Sequence, residues 1–220
     1  MKKIIYSFLT TIFFMSVAIS PDSLIAQDVT ALLPPQTDGG MPLMKALKNR
    51  KTSREFSGKD ISAQQLSNLL WAACGINRPD EKKRTAPSAM NYQEVDVYVS
   101  TAKGLFLYNP EKHNLAEVLK EDIRAVTGKQ DFVKTAPLTL VFVADYSKMA
   151  RSDEKTKEVY AMADASFISE NVYLFCASEG LATGVRAMID KDALGKAMKL
   201  TPDRHIILAQ SIGFPVGKEK

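Results

Sequence analysis

Apolar residues at helical spacing indicate the helices of this chain. After Ser62, one helical face collects apolar side chains, as in an amphipathic helix packed on a core. That face is formed by Leu66, Leu69, Leu70 and Ala73. Ser62 and Gln65 are three positions apart, the spacing of a capping box, and Gly75 is predicted to end the helix in a left-handed turn. The same spacing predicts shorter helices over residues 42–49, 115–126 and 190–200.

The longest predicted helix runs from Glu154 to Ser178 and is ended by Gly180. Its stretch from 159 to 177 is apolar nearly all round. A helix that is apolar on every face must be buried on every face. In a chain of this size, a second copy would naturally cover one of those faces, so the pattern favours a homodimer.

Two further patterns predict strands. Residues 94–100 place a valine at every second position, as in a strand with one buried face. A Lys-Gly pair then turns the chain into the apolar run 105–108, so a hairpin is expected. The continuous apolar run 138–144 fits a central strand, and residues 206–213 are predicted to form the last one. Helices mixed with antiparallel strand pairs place the chain in the α+β class.

The N-terminus has the layout of a secretory signal peptide. Two lysines precede an apolar run, residues 4–19, which is shorter than the roughly 20 residues of a membrane span. We predict that residues 1–26 are a signal peptide cleaved after Ala26, with export to the periplasm and no stable membrane insertion afterwards. A retained N-terminal anchor is the alternative. Residues 27–40 are predicted to form an N-terminal arm or linker, and residues 41–220 a single domain.

Charge and residue content exclude several functions. The 220 residues contain 29 Lys and Arg against 25 Asp and Glu, scattered along the chain, so nucleic-acid binding is not expected. The two histidines and two cysteines form no cluster with metal-ligand spacing, and no Ser or Cys motif beside a histidine supports a hydrolytic triad. Cys74 and Cys176 are expected to be buried, unpaired thiols, and a disulfide between them, as in many exported proteins, is the alternative.

Residues 50–56 carry the most informative chemistry. Arg50, Lys51 and Arg54 place three cations beside the hydroxyls of Thr52 and Ser53, directly after a short predicted helix. A phosphate group is bound by such clusters of charge-assisted donors, and arginine binds it bidentately. The segment therefore predicts a phosphate site. Taken alone, it leaves a solvated surface turn open as the alternative.

Four segments, in order along the chain, resemble motifs of the nitroreductase family. Residues 50–56, Arg-Lys-Thr-Ser-Arg-Glu-Phe, are similar to its N-terminal basic signature. Residues 84–91, Arg-Thr-Ala-Pro-Ser-Ala-Met-Asn, resemble its flavin-contacting segment, although the chain continues as Tyr-Gln-Glu where many members have Ser-Gln-Pro-Trp. Residues 180–184, Gly-Leu-Ala-Thr-Gly, resemble the turn after its dimer helix, and residues 213–218, Gly-Phe-Pro-Val-Gly-Lys, its closing motif. The resemblance covers roughly residues 41–218.

This resemblance implies a fold, a cofactor and a set of binding residues. The fold would be an α+β sandwich with a central, mostly antiparallel sheet flanked by helices, and an intertwined homodimer would hold FMN at its interface. The basic loop and a C-terminal lysine would contact the phosphate and the ribityl chain. Two residues of the segment 84–91 would contact the ring, and the backbone at residues 187 and 188 would lie near the reactive N5 atom. The residues so implied are Arg50, Lys51, Thr52, Ser53, Arg54, Ser88, Asn91, Ala187, Met188 and Lys218.

The implied function is that of an FMN-dependent oxidoreductase. It would transfer hydride through flavin N5 by a ping-pong mechanism, either reducing nitro or quinone-type acceptors or dehydrogenating a small substrate. The flavin carries the chemistry, so no catalytic side chain and no metal are expected. The Arg-Thr-Ala-Pro-Ser-Ala run resembles the azoline-forming dehydrogenase branch most closely. Because NAD(P)H is chiefly cytosolic, an exported member is expected to use it slowly. A non-catalytic flavin-binding or scavenging protein is the alternative.

Overall fold

The computed structural model describes residues 28–217, so the predicted signal peptide and Lys218 lie outside the described residues. This part of the chain contains four α-helices and nine strands. The helices are α1 (Leu43–Asn49), α2 (Ala63–Cys74), α3 (Glu154–Glu179) and α4 (Lys191–Ala197). The strands are β1 (Val29–Ala31), β2 (Ile76–Arg78), β3 (Lys83–Arg84), β4 (Val95–Thr101), β5 (Gly104–Asn109), β6 (Asn114–Leu119), β7 (Leu138–Asp145), β8 (Ala182–Arg186) and β9 (Arg204–Gly213).

Seven strands form one antiparallel sheet in the order β1-β6-β5-β4-β7-β9-β8. The predicted hairpin is confirmed as β4 and β5, with Tyr98 opposite Leu107. The predicted central strand is confirmed as β7, which lies between β4 and β9. Its residues 138–144 are all buried, as expected of a strand covered on both faces. The α+β class and the mostly antiparallel sheet are therefore confirmed.

Helices cover both faces of this sheet. Val97 and Val99 of β4 belong to the core cluster formed with α2 and α3, whereas Tyr98 between them belongs to the cluster formed with α4. This alternation follows from the pleat, which sends successive side chains to opposite faces. The capping box at the start of α2 is present, since the Ser62 hydroxyl accepts from the Gln65 amide. The layers of the sandwich are thus α2 and α3, the sheet, and α4.

The longest helix, α3, is buried on one half of its circumference only. Asp153 caps its start and Gly180 ends it in the left-handed conformation, at φ +70°. On the outer half, large apolar side chains are exposed in the single chain: Val159 is 57% exposed, Met162 44% and Phe167 48%. Such an apolar face on a helix is typical of an interface.

Two sequence-based predictions about secondary structure were wrong. Residues 115–126 do not form an α-helix, because Asn114–Leu119 is strand β6, paired with β5 on one side and β1 on the other; only a 3₁₀ turn, Arg124–Val126, lies at the end of the segment. Local helical spacing is overridden here by sheet pairing on both edges of the segment. Residues 180–184 are also more than a turn, since the chain enters strand β8 at Ala182 and pairs with β9.

Gly75 ends α2 for a different reason from the one predicted. Its φ of −68° and ψ of 163° are extended, not left-handed, and the chain continues directly into β2. A Cβ atom at this position would lie 2.5 Å from Cδ1 of Trp71. Glycine is therefore required by close approach to the last turn of α2, and not by a positive φ.

Residues 28–41 are tied to the domain at several points. β1 pairs with β6 at the sheet edge, and the Ser67 hydroxyl on α2 donates to the carbonyl of Leu33. The Met41 amide donates to the Ser178 hydroxyl near the end of α3, at 2.7 Å. This arm consequently runs across the surface from the sheet edge to the long helix.

Two smaller findings concern membranes and thiols. In residues 28–217, no helix combines the length and apolar character that a bilayer crossing requires. Cys74 and Cys176 are buried and unpaired, as the favoured prediction had it. Burial raises the pKa of the Cys74 thiol to about 12, so this thiol stays protonated and behaves as a small apolar core group.

Candidate functional site

The basic loop after α1 is fastened to strand β8. The amide of Ser53 donates to the carbonyl of Thr183 at 2.8 Å. A few residues later, Phe56 forms a bridge with Pro215, beyond the end of β9. Two backbone contacts therefore hold residues 50–57 against the edge strand and the segment that follows its neighbour.

Gly184 lets the loop lie this close. A Cβ atom on Gly184 would lie 2.8 Å from the carbonyl oxygen of Ser53 and 3.4 Å from Cγ2 of Thr52. The first distance is too short for any side chain, and the partner is a backbone atom that cannot move aside alone. The glycine of the Gly-Leu-Ala-Thr-Gly motif thus has a structural reason, which is to seat the basic loop on β8.

Tyr173 of α3 joins the loop and the strand. Its hydroxyl lies 2.9 Å from Oγ1 of Thr52 and accepts a hydrogen bond from the Val185 amide at 3.0 Å. The guanidinium of Arg50 lies over the ring of the same tyrosine, 5.3 Å from its centroid, within reach of a cation–π interaction. One side chain of the long helix therefore positions both the loop and the edge strand.

The loop cations have no carboxylate partners. Among residues 28–217, none of the ion pairs involves Arg50, Lys51 or Arg54. Lys51 and Arg54 are exposed and Arg50 is half-buried. Three neighbouring cations without counter-charges repel one another, so a bound anion would relieve that repulsion. The structure brings together four of the five predicted residues of this loop around β8 and α3; the fifth, Lys51, is exposed.

The Ser88–Asn91 segment is the second part of the site. It is a short 3₁₀ turn in which Met90 and Asn91 have positive φ angles of 51° and 55°. Backbone strain of this kind at non-glycine residues is concentrated at functional sites. Asn91 is exposed. The segment therefore presents polar groups on a backbone that its surroundings must hold in place.

The hydroxyl of Ser88 points inward. It accepts from the Gln93 amide at 2.8 Å and donates to Oε2 of Glu94 at 3.3 Å. The next amide, that of Ala89, donates to Oδ2 of Asp164 on α3 at 2.9 Å. The segment is thus anchored to two carboxyl groups beneath it.

Ala187 and Met188 follow β8 directly and are the third part. Both are exposed, Met188 to 65%, and the Ile189 amide donates to the carbonyl of Ala187 at 2.9 Å. The preceding residue, Arg186, is buried and binds neutral groups only: Nη1 donates to the Ser211 hydroxyl at 2.9 Å and Nη2 to the Thr127 hydroxyl at 2.8 Å. Arg186 therefore ties β8 to its surroundings and forms no surface ion pair.

The three parts do not converge within one chain. The basic loop and the end of β8 lie together at Tyr173, whereas the Ser88–Asn91 segment meets α3 at Asp164. These two positions are nine residues apart, which corresponds to about 2.5 helical turns and about 13 Å of rise. They consequently lie on opposite flanks of α3, and one copy alone does not bring the two groups of residues into one pocket.

Sequence reasoning missed three residues of this region. These are Tyr173, Glu94 and Asp164, none of which the sequence motifs single out. A tyrosine on a buried helix face needs a partner for its hydroxyl, which is a signal for the first. An aspartate inside a long apolar stretch of helix is a signal for the last, because a buried carboxyl must be hydrogen-bonded.

Comparisons with known proteins identify the family. The nitroreductase family model matches residues 47–214. A Methanocaldococcus jannaschii protein with a provisional nitroreductase name is 29% identical over 162 residues, which are 68% of this chain and 81% of that protein. A crystal structure of a provisionally named nitroreductase from Ralstonia eutropha JMP134 superposes with a TM-score of 0.83 at 43% identity, covering 86% of this chain and 90% of the other.

A more distant structure shows the shared fold alone. The NADPH:FMN oxidoreductase of Vibrio harveyi, solved with NAD⁺, has a TM-score of 0.61 at 16% identity and covers 81% of this chain and 72% of its own. The family match itself includes the basic loop, the Ser88–Asn91 segment, α3 and β8. The chain therefore belongs to the nitroreductase family of oxidoreductases.

Proposed function

We propose that this protein is an FMN-dependent oxidoreductase that binds the phosphate of FMN at the basic loop. The observation that carries the proposal is the trio of cations without carboxylate partners, seated on β8 where Gly184 leaves no room for a side chain. An anion with several acceptor oxygens fits this set of donors, because guanidinium groups and hydroxyls bind phosphate by charge-assisted hydrogen bonds.

Different residues would contact different parts of the cofactor. Arg50, Thr52 and Arg54, with Lys51 and Ser53 beside them, would hold the phosphate and ribityl chain. The backbone at Ala187 and Met188 would lie along one edge of the ring, since it follows β8 directly and is exposed. A cation near the pyrimidine side stabilises the anionic reduced flavin and raises its potential. Lys218 remains a predicted phosphate partner outside the described residues.

A second copy completes the site in this proposal. Ser88 and Asn91 would approach the ring from the partner, because within one chain they lie on the far flank of α3. The exposed apolar face of α3, with Phe167 at 48% exposure, would pack on the partner. A homodimer, which the apolar helix favours and whose intertwined form the family resemblance implies, would therefore explain both the uncovered face and the divided site.

When bound, FMN supplies hydride transfer through its N5 atom, so that a small-molecule donor and then an acceptor react in the same pocket by a ping-pong mechanism. The chain itself positions the cofactor, excludes water at the dimer interface and provides cations. Nitro compounds and quinones are the proposed acceptors, with dehydrogenation of a small substrate as the other direction. In the periplasm, where we propose that the mature protein resides, NAD(P)H would be a slow donor.

The test is spectroscopic. Protein purified from its own compartment is expected to show the absorption bands of oxidised flavin, and FMN titration of the ligand-free protein should quench flavin fluorescence. Arg50→Ala should weaken FMN binding by about tenfold or more, the loss expected for one charge-assisted contact. Lys48→Ala, which removes an exposed cation from the last turn of α1, is the matched control and should bind FMN normally.

Two outcomes would contradict the proposal. Colourless protein that ignores added FMN would refute flavin binding altogether. Protein that binds FMN but turns over neither nitroaromatics nor quinones, with any of several reductants, would instead support a flavin-binding or scavenging role.

A further inference from the structure

Two carboxyl groups lie buried behind the Pro87–Asn91 segment. Glu94, immediately before β4, is fully buried, and Asp164 of α3 is 3% exposed. In the described part of the chain, neither belongs to an ion pair. Two adjacent buried carboxylates without an ion-pair partner are strongly unfavourable, so this pair is expected to hold a proton.

The hydrogen-bond partners of the carboxyl oxygens indicate which group holds that proton. Oε2 of Glu94 accepts from the Ser88 hydroxyl, and Oδ2 of Asp164 accepts from the Ala89 amide. Oε1 of Glu94 is buried and has no hydrogen-bond partner in the part of the chain that the structure describes. The two side chains line the same small cavity and bind neighbouring residues of one segment. A proton on Glu94 would give Oε1 a bond to Asp164 and remove the repulsion between the two groups.

We propose that Glu94 and Asp164 share one proton and thereby hold the Pro87–Asn91 segment in the conformation in which it meets the flavin ring. For what the segment contacts, this inference rests on the proposed function. Both carboxyl groups act as positioning residues, through the Ser88 hydroxyl and the Ala89 amide. Loss of the shared proton places two negative charges in one dry space, and their repulsion displaces the segment with its positive-φ residues.

In this cavity, the thiol and phenol groups around Glu94 do not change charge near neutral pH. Arg84 and Cys74 line the same small cavity, and Nη1 of Arg84 donates to a backbone carbonyl of β4 at 3.2 Å. Burial raises the pKa of Cys74 to about 12 and also raises the pKa of Tyr146, which follows β7. These thiol and phenol groups therefore stay neutral over the range from pH 5.5 to 8.5.

Besides Arg84, which stays charged over this pH range, the nearby cation is a lysine. Nζ of Lys148 donates to the Gln93 carbonyl at 3.2 Å and to Asp96, so it is engaged outside the cavity. Burial, followed by the nearby Asp164, raises the pKa of Glu94 to about 7. The geometry and the electrostatics thus agree on a carboxyl group that keeps its proton at mildly acidic pH.

The main experiment is FMN affinity as a function of pH. The second ionisation of the FMN phosphate, at about pH 6, affects wild type and variants alike. Relative to Glu94→Gln, the wild-type dissociation constant should be constant from pH 5.5 to 6.5 and should rise above pH 7, by at most about tenfold per pH unit for one proton. In Glu94→Gln, the amide nitrogen donates to Asp164 at every pH and its oxygen still accepts from Ser88. This variant should keep only the pH dependence that comes from the FMN phosphate, and it should bind FMN about 5- to 30-fold more tightly than wild type at pH 8.5.

Two variants serve as controls. Asp164→Asn also keeps one hydrogen between the side chains, since its amide donates to Glu94, and should likewise remove the pH dependence. Glu121→Gln replaces an exposed carboxyl group far from the cavity and should titrate like wild type. If Glu94→Gln binds FMN with the same pH dependence as wild type, the inference is overturned while the proposed function stands.

Hydrogen exchange tests the pair without any ligand. In ligand-free wild-type protein, the Ala89 amide should lose protection between pH 6 and pH 8.5, after correction for intrinsic exchange, and in Glu94→Gln it should not. This readout remains valid if FMN binds to neither protein, an outcome that would refute only the proposed function. Equal protection of the Ala89 amide in both proteins at both pH values would refute the shared proton.

Discussion

The hydroxyl of Tyr173 offers the sharpest test of how α3 builds the basic-loop site. Tyr173→Phe keeps the ring beneath the Arg50 guanidinium but removes the bonds to Thr52 and to the Val185 amide. Each hydrogen bond contributes about 0.5–1.5 kcal/mol net. We therefore expect the unfolding free energy of the ligand-free protein to fall by about 1–2 kcal/mol, as measured by urea unfolding at one protein concentration.

The same substitution should weaken FMN binding. Because Thr52 loses its anchor, part of the loop must be ordered when the phosphate binds, and a cost of about 1 kcal/mol corresponds to a roughly fivefold rise in the dissociation constant. Fluorescence titration measures this rise. Tyr160→Phe is the control, since its hydroxyl has no hydrogen-bond partner among residues 28–217 and it also lies on α3. A Tyr173→Phe protein indistinguishable from this control in both assays would refute the reasoning.

Two further predictions concern the glycine under the loop and the buried carboxyl group. Gly184→Ala should push the loop off β8, because the new Cβ would meet the Ser53 carbonyl at 2.8 Å. Gly184→Ala should raise the FMN dissociation constant at least tenfold in a fluorescence titration. Gly195→Ala in α4, where a Cβ has open space, is the control and should leave the dissociation constant unchanged. Unaltered FMN binding by Gly184→Ala would contradict the close contact between the loop and β8. Burial raises the pKa of Glu94 from 4.5 to about 7, so its folded-state proton contributes stability that is fully present below pH 4.5 and is lost as the pH rises through 7. In wild type, urea unfolding should accordingly show that the unfolding free energy loses at most about 3 kcal/mol between pH 4.5 and pH 7. Glu94→Gln should not show this loss. Parallel pH profiles of the unfolding free energy in the two proteins would contradict the prediction.

Much of the fold could be predicted because its signals are local. The capping box at Ser62, the alternating valines of β4 and the continuous apolar run of β7 each specify one element by their own periodicity. The segment 115–126 failed because its decisive contacts are distant. β6 is made a strand by pairing with β5 and with β1 of the arm, and neither partner is visible in a window of that length.

In the candidate site too, the features with local signals could be predicted and those that depend on distant contacts could not. The cations of the basic loop are contiguous in sequence, so their clustering could be predicted together with their phosphate chemistry. The roles of Tyr173 and Asp164 could not, because each joins α3 to a segment about 75 or more positions away. Such roles depend on the rotation of the helix in its packed position, which periodicity defines only coarsely.

The positive potential at the basic loop comes from one buried cation, Arg186, as well as from the exposed cations of the loop. It lies two positions beyond Gly184 on β8, so its side chain leaves the strand on the face on which the loop is seated. Burial lowers its pKa to about 10, which still leaves it protonated at neutral pH, and it binds only neutral oxygens. Salt screens exposed charges much more than buried ones. The exposed cations Lys51 and Arg54 can therefore attract an anion from solution, while the buried guanidinium supplies a positive charge that neither salt nor side-chain motion removes.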